Sequence, residues 1–368
     1  MTAASLREPL VRAWVDPAAT LPLGARAWND LLLLGREHGL LARLGMQLLD
    51  CGLLERVPPK AQAQIRAACI AVESSQTAVR FEINRVLRAL ATVDAPIILL
   101  KGAAYLVADL PPARGRFVGD LDLMVPQARI LEVERALIAE GWAPADLEEY
   151  DQRYYREWMH EIPPLQHPQR GTPVDLHHTI APRTSRVRPD PEALLLASVP
   201  LANSPLRVLG PADMVLHSAL HLFNDEVGRP LRDLLDLHDL LCHFGSRPAF
   251  WDELLSHAQV HGLGRPLYYM LRHTQRLLGT PVPPEVYRRA AANAPAAPLK
   301  LLMDSLFVAT FVPKPTGQWN AAASLARLLL YMRSHWLRMP PILLMRHLAT
   351  KAVRRARERF KRQPTEAG

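Results

Sequence analysis

The chain has 368 residues, 49% of them apolar and 22% charged, enough to bury two cores or one large one and too apolar for global disorder. Its formal charge of +8 is uneven: residues 325–368 hold eleven Lys/Arg against two Glu, leaving the rest with 33 basic and 34 acidic side chains. A body near neutrality gives no general argument for a nucleic-acid partner.

Cys51, Cys69 and Cys242 are odd in number and far apart, so neither a disulfide framework nor a C-x-x-C zinc site can be read from them. The first residues carry Arg7, Glu8, Arg12 and Asp16 without the apolar stretch of a secretory signal. No run reaches about 18 uncharged apolar residues, the length a spanning helix needs. The expected location is the cytoplasm.

From about 26 to 94 the apolar spacing is helical, beginning with Trp28, Leu31, Leu32, Leu34 and Leu40, and broken at Val57-Pro58-Pro59-Lys60. Residues 97–100 (Ile-Ile-Leu-Leu) read as a strand that runs through Lys101 into a turn at Gly102, with a short helix over 103–109 and a proline loop at 111–115. A second strand over 118–125 carries Asp120 and Asp122. Alternate residues of a strand share a face, so this reading projects the two carboxylates side by side. Such a pair repels itself unless a cation lies between, and oxygen-only ligands suit Mg²⁺ or Mn²⁺. A glycine turn beside it, where backbone can approach a bulky ligand, fits a nucleoside triphosphate.

An amphipathic helix follows over 127–141, ended by Gly141. The segment 144–170, rich in Glu, Tyr, Arg and Pro, has no clear period. Residues 173–180 read as a strand with Asp175, a third acid able to join the first pair if the strands are neighbours, and His177 on the same face. From 191 onward the pattern is helical, with helices expected at 214–223, 230–244, 251–261, 265–278 and 298–310. Pro313, Pro315 and Gly317 mark a linker. The final stretch is basic and amphipathic, with apolar positions Leu325, Leu328, Leu329, Met332 and Trp336. Such a stretch suits an anionic membrane surface, an acidic partner or nucleic acid. Its alternative is a solvated terminus.

Leu99-Leu100-Lys101-Gly102, Arg116 four residues before Asp120-Leu121-Asp122-Leu123, and Val174-Asp175-Leu176-His177 together resemble the uncharacterised nucleotidyltransferase family within the polymerase-β-like nucleotidyltransferase superfamily. Leu231-Arg232-Asp233-Leu234-Leu235-Asp236-Leu237 is similar to its helical part. The resemblance covers about residues 95–245. It implies an α+β fold, a small mixed-sheet nucleotidyltransferase core flanked by N- and C-terminal helical regions. The expected division is a helical region 1–85, the core 86–195, a helical domain 196–312 and the basic tail 313–368.

The activity it implies is Mg²⁺-dependent transfer of a nucleoside monophosphate from an NTP to an unidentified acceptor hydroxyl. Asp120, Asp122 and Asp175 would hold Mg²⁺ (or Mn²⁺), and Asp175 would also take the acceptor's proton. Lys101, Gly102 and Arg116 would bind the nucleotide's phosphates. The alternatives are a solvated Lys101 and an Arg116 ion-paired with an aspartate. His177 either touches phosphate or is a satisfied, partly buried histidine. Asp236 either holds the helical domain to the core, faces the nucleotide, or makes surface ion pairs. His217 and His221, at i and i+4, lack the glutamate of H-E-x-x-H and are expected to pack rather than bind zinc. Ala103 departs from the Ser or Gly that many superfamily members carry there, so a hydroxyl contact to phosphate is missing. The rival reading is a catalytically degenerate nucleotide- or partner-binding protein, an accessory to polysaccharide or peptide biosynthesis at the membrane surface. That reading adds a peripheral membrane contact through residues 325–362.

Overall fold

The computed structural model describes residues 9–225, 228–311 and 321–346. Four helices come first: α1 (Pro9–Val15), α2 (Ala25–Glu37), α3 (Leu41–Asp50) and α4 (Pro59–Ala89). Pro59 opens α4, where a missing N–H costs nothing. One face of α4, with Ala61, Ile65, Val72, Val79 and Ile83, is buried at helical spacing.

The centre alternates strands and helices. These are β1 (Ile97–Leu99), α5 (Lys101–Val107), β2 (Leu121–Met124), α6 (Ile130–Ala139), β3 (Ala143–Pro144), α7 (Glu149–Trp158), β4 (Leu165–Gln166), β5 (Pro173–His177), α8 (Pro191–Leu196), β6 (Val199–Pro200) and β7 (Leu206–Val208). They form one seven-stranded mixed sheet in the order β3-β4-β5-β2-β1-β7-β6. β2 runs parallel to β5 and antiparallel to β1, and β1 runs parallel to β7. All four residues of β2 are buried, as expected of a strand covered on both faces. The sheet continues through β6 and β7, so a core ending at residue 195 is too short. β7 completes the parallel pairing of β1, and its three residues were too few to stand out from the helical pattern around them. The unplaced segment 144–170 contains α7 between two two-residue strands, lengths below what a periodic signal can show.

A helical layer follows: α9 (Pro211–Asn224), α10 (Pro230–Phe244), α11 (Phe250–Val260), α12 (Gly264–Leu278), α13 (Pro284–Ala290), α14 (Ala297–Phe311) and α15 (Ala321–Arg338). An aromatic cluster binds α9, α12 and α14, with Phe223 5.0 Å from Phe307 and His273 5.4 Å from Phe311, ring centre to ring centre. With 65% helix around one mixed sheet, the fold is α+β with helical flanks. Among the described residues no single helix is long and apolar enough to cross a membrane.

Candidate active site

β1 ends at Leu99, Leu100 donates its N–H to the Asp122 carbonyl at 3.0 Å, and the chain turns at once into α5. The turn differs from its sequence reading. Gly102 is already helical, and the left-handed backbone falls on Lys101, with φ of 45°. Gly102 is needed for a different reason. A methyl at that position would collide with the Arg116 guanidinium. Gly115, with φ of +66°, makes the turn that delivers Arg116 and lies against the backbone of Arg43.

Asp122 sits inside β2 and is buried, whereas Asp120 precedes the strand and is exposed. Asp120 thus stands just outside the ladder, and both acids line the same cavity. Pairing with both neighbouring strands starts only at Leu121, so nothing holds Asp120 in the ladder. Asp175 is the register partner of Asp122 on β5. Adjacent strands lie about 4.8 Å apart, so these two carboxyl groups start from neighbouring backbones. His177 pairs with Met124 and reaches diagonally back, its Nε2 3.0 Å from Asp122 Oδ1. Lys101 Nζ donates to the same oxygen at 3.0 Å.

The charges respond to this crowding. Burial opposes ionisation of Asp122, but the Lys101 ammonium and the His177 hydrogen bond overcome it and hold the carboxyl far below the usual range. Burial, followed by the charges of Asp122 and Glu161, pushes Asp175 up to about 7. Desolvation and the Asp122 charge also raise Asp120. Asp122 Oδ1 takes both hydrogen bonds, and the carboxylate oxygens of Asp120, Asp122 and Asp175 do not all lie within 4.8 Å of one another. By donor type alone, three carboxylates match the oxygen ligands that Mg²⁺ or Mn²⁺ prefers.

Asp120 and Asp122 open onto a cavity of about 290 Å³ that is also lined by Lys101, Gly102, Arg116 and Arg232. Arg229 lines it as well and pairs with no carboxylate among the described residues. Arg116 donates to Asp236 Oδ2 at 2.9 Å, and Arg43 of α3 meets Asp236 Oδ1 at 2.5 Å. Asp236 thus ties the N-terminal helices, the α5–β2 loop and α10 into one buried network. Burial works against its ionisation, yet Arg116 and Arg43 hold its carboxyl below the usual range. Ala103 is buried and does not line the cavity. His217 is buried, and His221 pairs with Asp225 at 3.1 Å at the cavity wall.

Three features were invisible in the sequence. Arg43 lies in a helix of leucines, 193 residues from its partner Asp236. Glu161 approaches His177 Nδ1 at 3.5 Å across an isolated bridge. Helix α7 carries Tyr150, Tyr154, Tyr155 and Trp158, their rings in edge contact at about 6 Å. Burial and the charges of Glu161, Asp175 and Asp151 raise the Tyr155 hydroxyl. Tyrosines at i and i+4 within a Glu/Arg-rich stretch were the one available signal.

Among the described residues two clusters place metal-ligating atoms together. His160, Glu161 and His177 gather beside Asp122, with His177 Nδ1 lacking a hydrogen-bond partner. Asp213, His257 and His261 form the second. There the Asp190 N–H donates to His261 Nδ1 at 3.1 Å, which places the ring proton on Nε2, facing Asp213. Nε2 then has no lone pair for a metal, so this cluster is a carboxylate–imidazole network holding α9 to α11.

A family model described as "Uncharacterised nucleotidyltransferase" matches residues 24–279, which takes in α2 through α12. No curated protein matches the chain.

Proposed function

The chain belongs to the uncharacterised nucleotidyltransferase family, and on that premise we propose that it moves a nucleoside monophosphate from an NTP onto an acceptor hydroxyl. The observation that carries this reading is the pairing of Asp122 with Asp175 on adjacent strands, beside a cavity lined by Lys101, Arg116, Arg229 and Arg232. Acids and cations line one opening, as a nucleotide held by its phosphates and a departing pyrophosphate both require.

When bound, a divalent cation on Asp120, Asp122 and Asp175 would offset triphosphate charge and polarise the transferred phosphoryl group. The chain's own groups supply the rest. Lys101 and the arginines hold phosphate oxygens as point charges and forks. The acceptor hydroxyl enters on the Asp175 side. Its oxygen bonds to the α-phosphorus as the bond from that phosphorus to the bridging oxygen breaks, pyrophosphate leaves, and the hydroxyl proton passes to Asp175. Without a cation, burial and the charges of Asp122 and Glu161 raise this carboxyl to about 7, and a bound cation would lower it and keep it ionised to accept the proton. The aromatic rings of α7 and the acids Glu161 and Asp175 favour an acceptor that bears a ring face and no negative charge.

One observation favours the rival, a catalytically silent nucleotide binder: Lys101 and His177 already neutralise Asp122. Incubation with labelled ATP, GTP, CTP or UTP, Mg²⁺ and a cell extract separates the two. Label transferred to an acceptor by wild type and not by Asp175→Asn supports transfer. Mg²⁺-dependent binding of NTP with no transfer to anything supports the silent binder.

A further inference from the structure

The helix α15 carries two apolar faces. Its first face packs on the body through Ala326, Leu330 and Ser334, all buried, while Arg333 donates to the Phe223 carbonyl of α9. Its second face is the stripe Leu325, Leu328, Leu329, Met332 and Trp336. At about 100° per residue these five positions fall within roughly 100° of arc and extend about 16 Å. The helix is docked and the stripe is left in solvent, with Leu325 56% and Met332 58% exposed. Ile342 and Met345 extend the exposed apolar surface beyond the helix, and Leu301 and Leu302 of the neighbouring α14 are also exposed. Scattered surface leucines need no explanation, but a continuous stripe of this kind marks an interaction site.

The surroundings indicate the occupant. The loop 183–188 is fastened to the C-terminal end of α15. Thr184 donates to the Arg338 carbonyl at 2.7 Å, the Arg186 N–H donates to the Leu337 carbonyl at 2.9 Å, and the Arg186 guanidinium lies 4.5 Å over the Trp336 ring. Cations at a helix C-terminus are favoured by its dipole. Arg183, Arg186 and Arg188 are exposed, and none of them forms an ion pair among the described residues. Residues 347–368, which lie outside the described residues, add seven Lys/Arg against two Glu. An apolar stripe, an interfacial tryptophan and an excess of unpaired arginine together match one chemistry, a bilayer with anionic headgroups.

We propose that the exposed face of α15, rimmed by Arg183, Arg186 and Arg188, docks this protein on an anionic membrane surface. A carboxylate-rich protein would satisfy the arginines but not the stripe. A second copy of the chain would cover the stripe but bring the arginines together.

The test is flotation of the full-length protein with vesicles of phosphatidylcholine alone and of phosphatidylcholine with 30% phosphatidylglycerol, a composition chosen for the assay. Wild type should float with the anionic vesicles and at least tenfold less with the neutral ones. Leu328→Glu with Met332→Glu should lower anionic binding at least tenfold, with an unchanged melting temperature because both positions are exposed. Should that pair fail to fold, Arg183→Glu with Arg188→Glu tests the rim instead. A blue shift of wild-type tryptophan emission on anionic vesicles, lost in Trp336→Phe, would support burial of the stripe. Absence of vesicle binding overturns the proposal, as does anionic binding that persists undiminished in the glutamate variants. A dimer dissolved by those substitutions, without vesicle binding, overturns it in favour of self-association.

Discussion

At the scale of single residues, the three acids of the site have different surroundings, and their substitutions should separate. Asp122 accepts from Lys101 and His177, so Asp122→Asn leaves a largely buried ammonium with a weaker partner. Breaking a buried pair costs about 3 kcal/mol, and chemical denaturation should show a loss of that order. Asp120→Asn removes a charge that repels Asp122 and breaks no ion pair among the described residues, so stability without metal should hold or rise. Both variants should lose Mg²⁺-dependent NTP binding in calorimetry. Equal stability losses in the two would show that the Lys101 and His177 contacts contribute nothing. Gly102 makes a second case. Gly102→Ala should push Arg116 away from Asp236 and destabilise by about 1–3 kcal/mol, the usual cost of overpacking. A neutral Gly102→Ala would mean that the guanidinium can move at no cost.

At the scale of elements, α9, α12 and α14 meet around His273, an imidazole with no exposed surface stacked among Phe223, Tyr269, Phe307 and Phe311. Burial lowers its pKa to about 3, against the opposing pull of Asp304. A folded pKa depressed below the unfolded value of about 6.5 gives stability that is full above pH 6.5 and lost as pH falls toward 3. His217, buried, and His160, half-buried, are held neutral in the same sense and add to the slope. These imidazoles lower the melting temperature as pH drops from 6.5 to 4, while Asp175, raised to about 7, works against them over the same range, so the fall should be steeper in Asp175→Asn. His273→Phe should keep the ring packing and flatten part of that fall. A variant with the wild-type pH slope would place the acid sensitivity elsewhere.

At the scale of the whole molecule, Asp236, Arg43 and Arg116 join three parts of the chain that are distant in sequence, and the cavity opens beside that junction. A ligand bound there should stabilise the entire fold. At 100 times its Kd an NTP adds about 2.7 kcal/mol to unfolding by mass action, a shift of several degrees. The shift should require Mg²⁺ and vanish in Asp122→Asn. A shift of equal size with EDTA would show that phosphates bind to the arginines alone.

How much of this was legible in the sequence depends on the range of each interaction. Lys101-Gly102, Asp120, Asp122 and Asp175 stood out because strand runs and short spacings lie within a few residues of each other, where local sterics decide conformation. Short apolar runs also placed β1, β2 and β5, and helical apolar spacing the helices around them. The strand partnership that sets Asp175 against Asp122 is a choice among long-range pairings, and a period of two marks a face without naming the neighbour. Arg43 and Glu161 could not be read at all, because each is defined by a partner brought close only by the folded sheet and helices. For α15 the sequence determined an apolar stripe and a basic excess. Only the tertiary structure decided that the helix packs by its other face, because burial depends on which surface the body offers and not on the helix's own period.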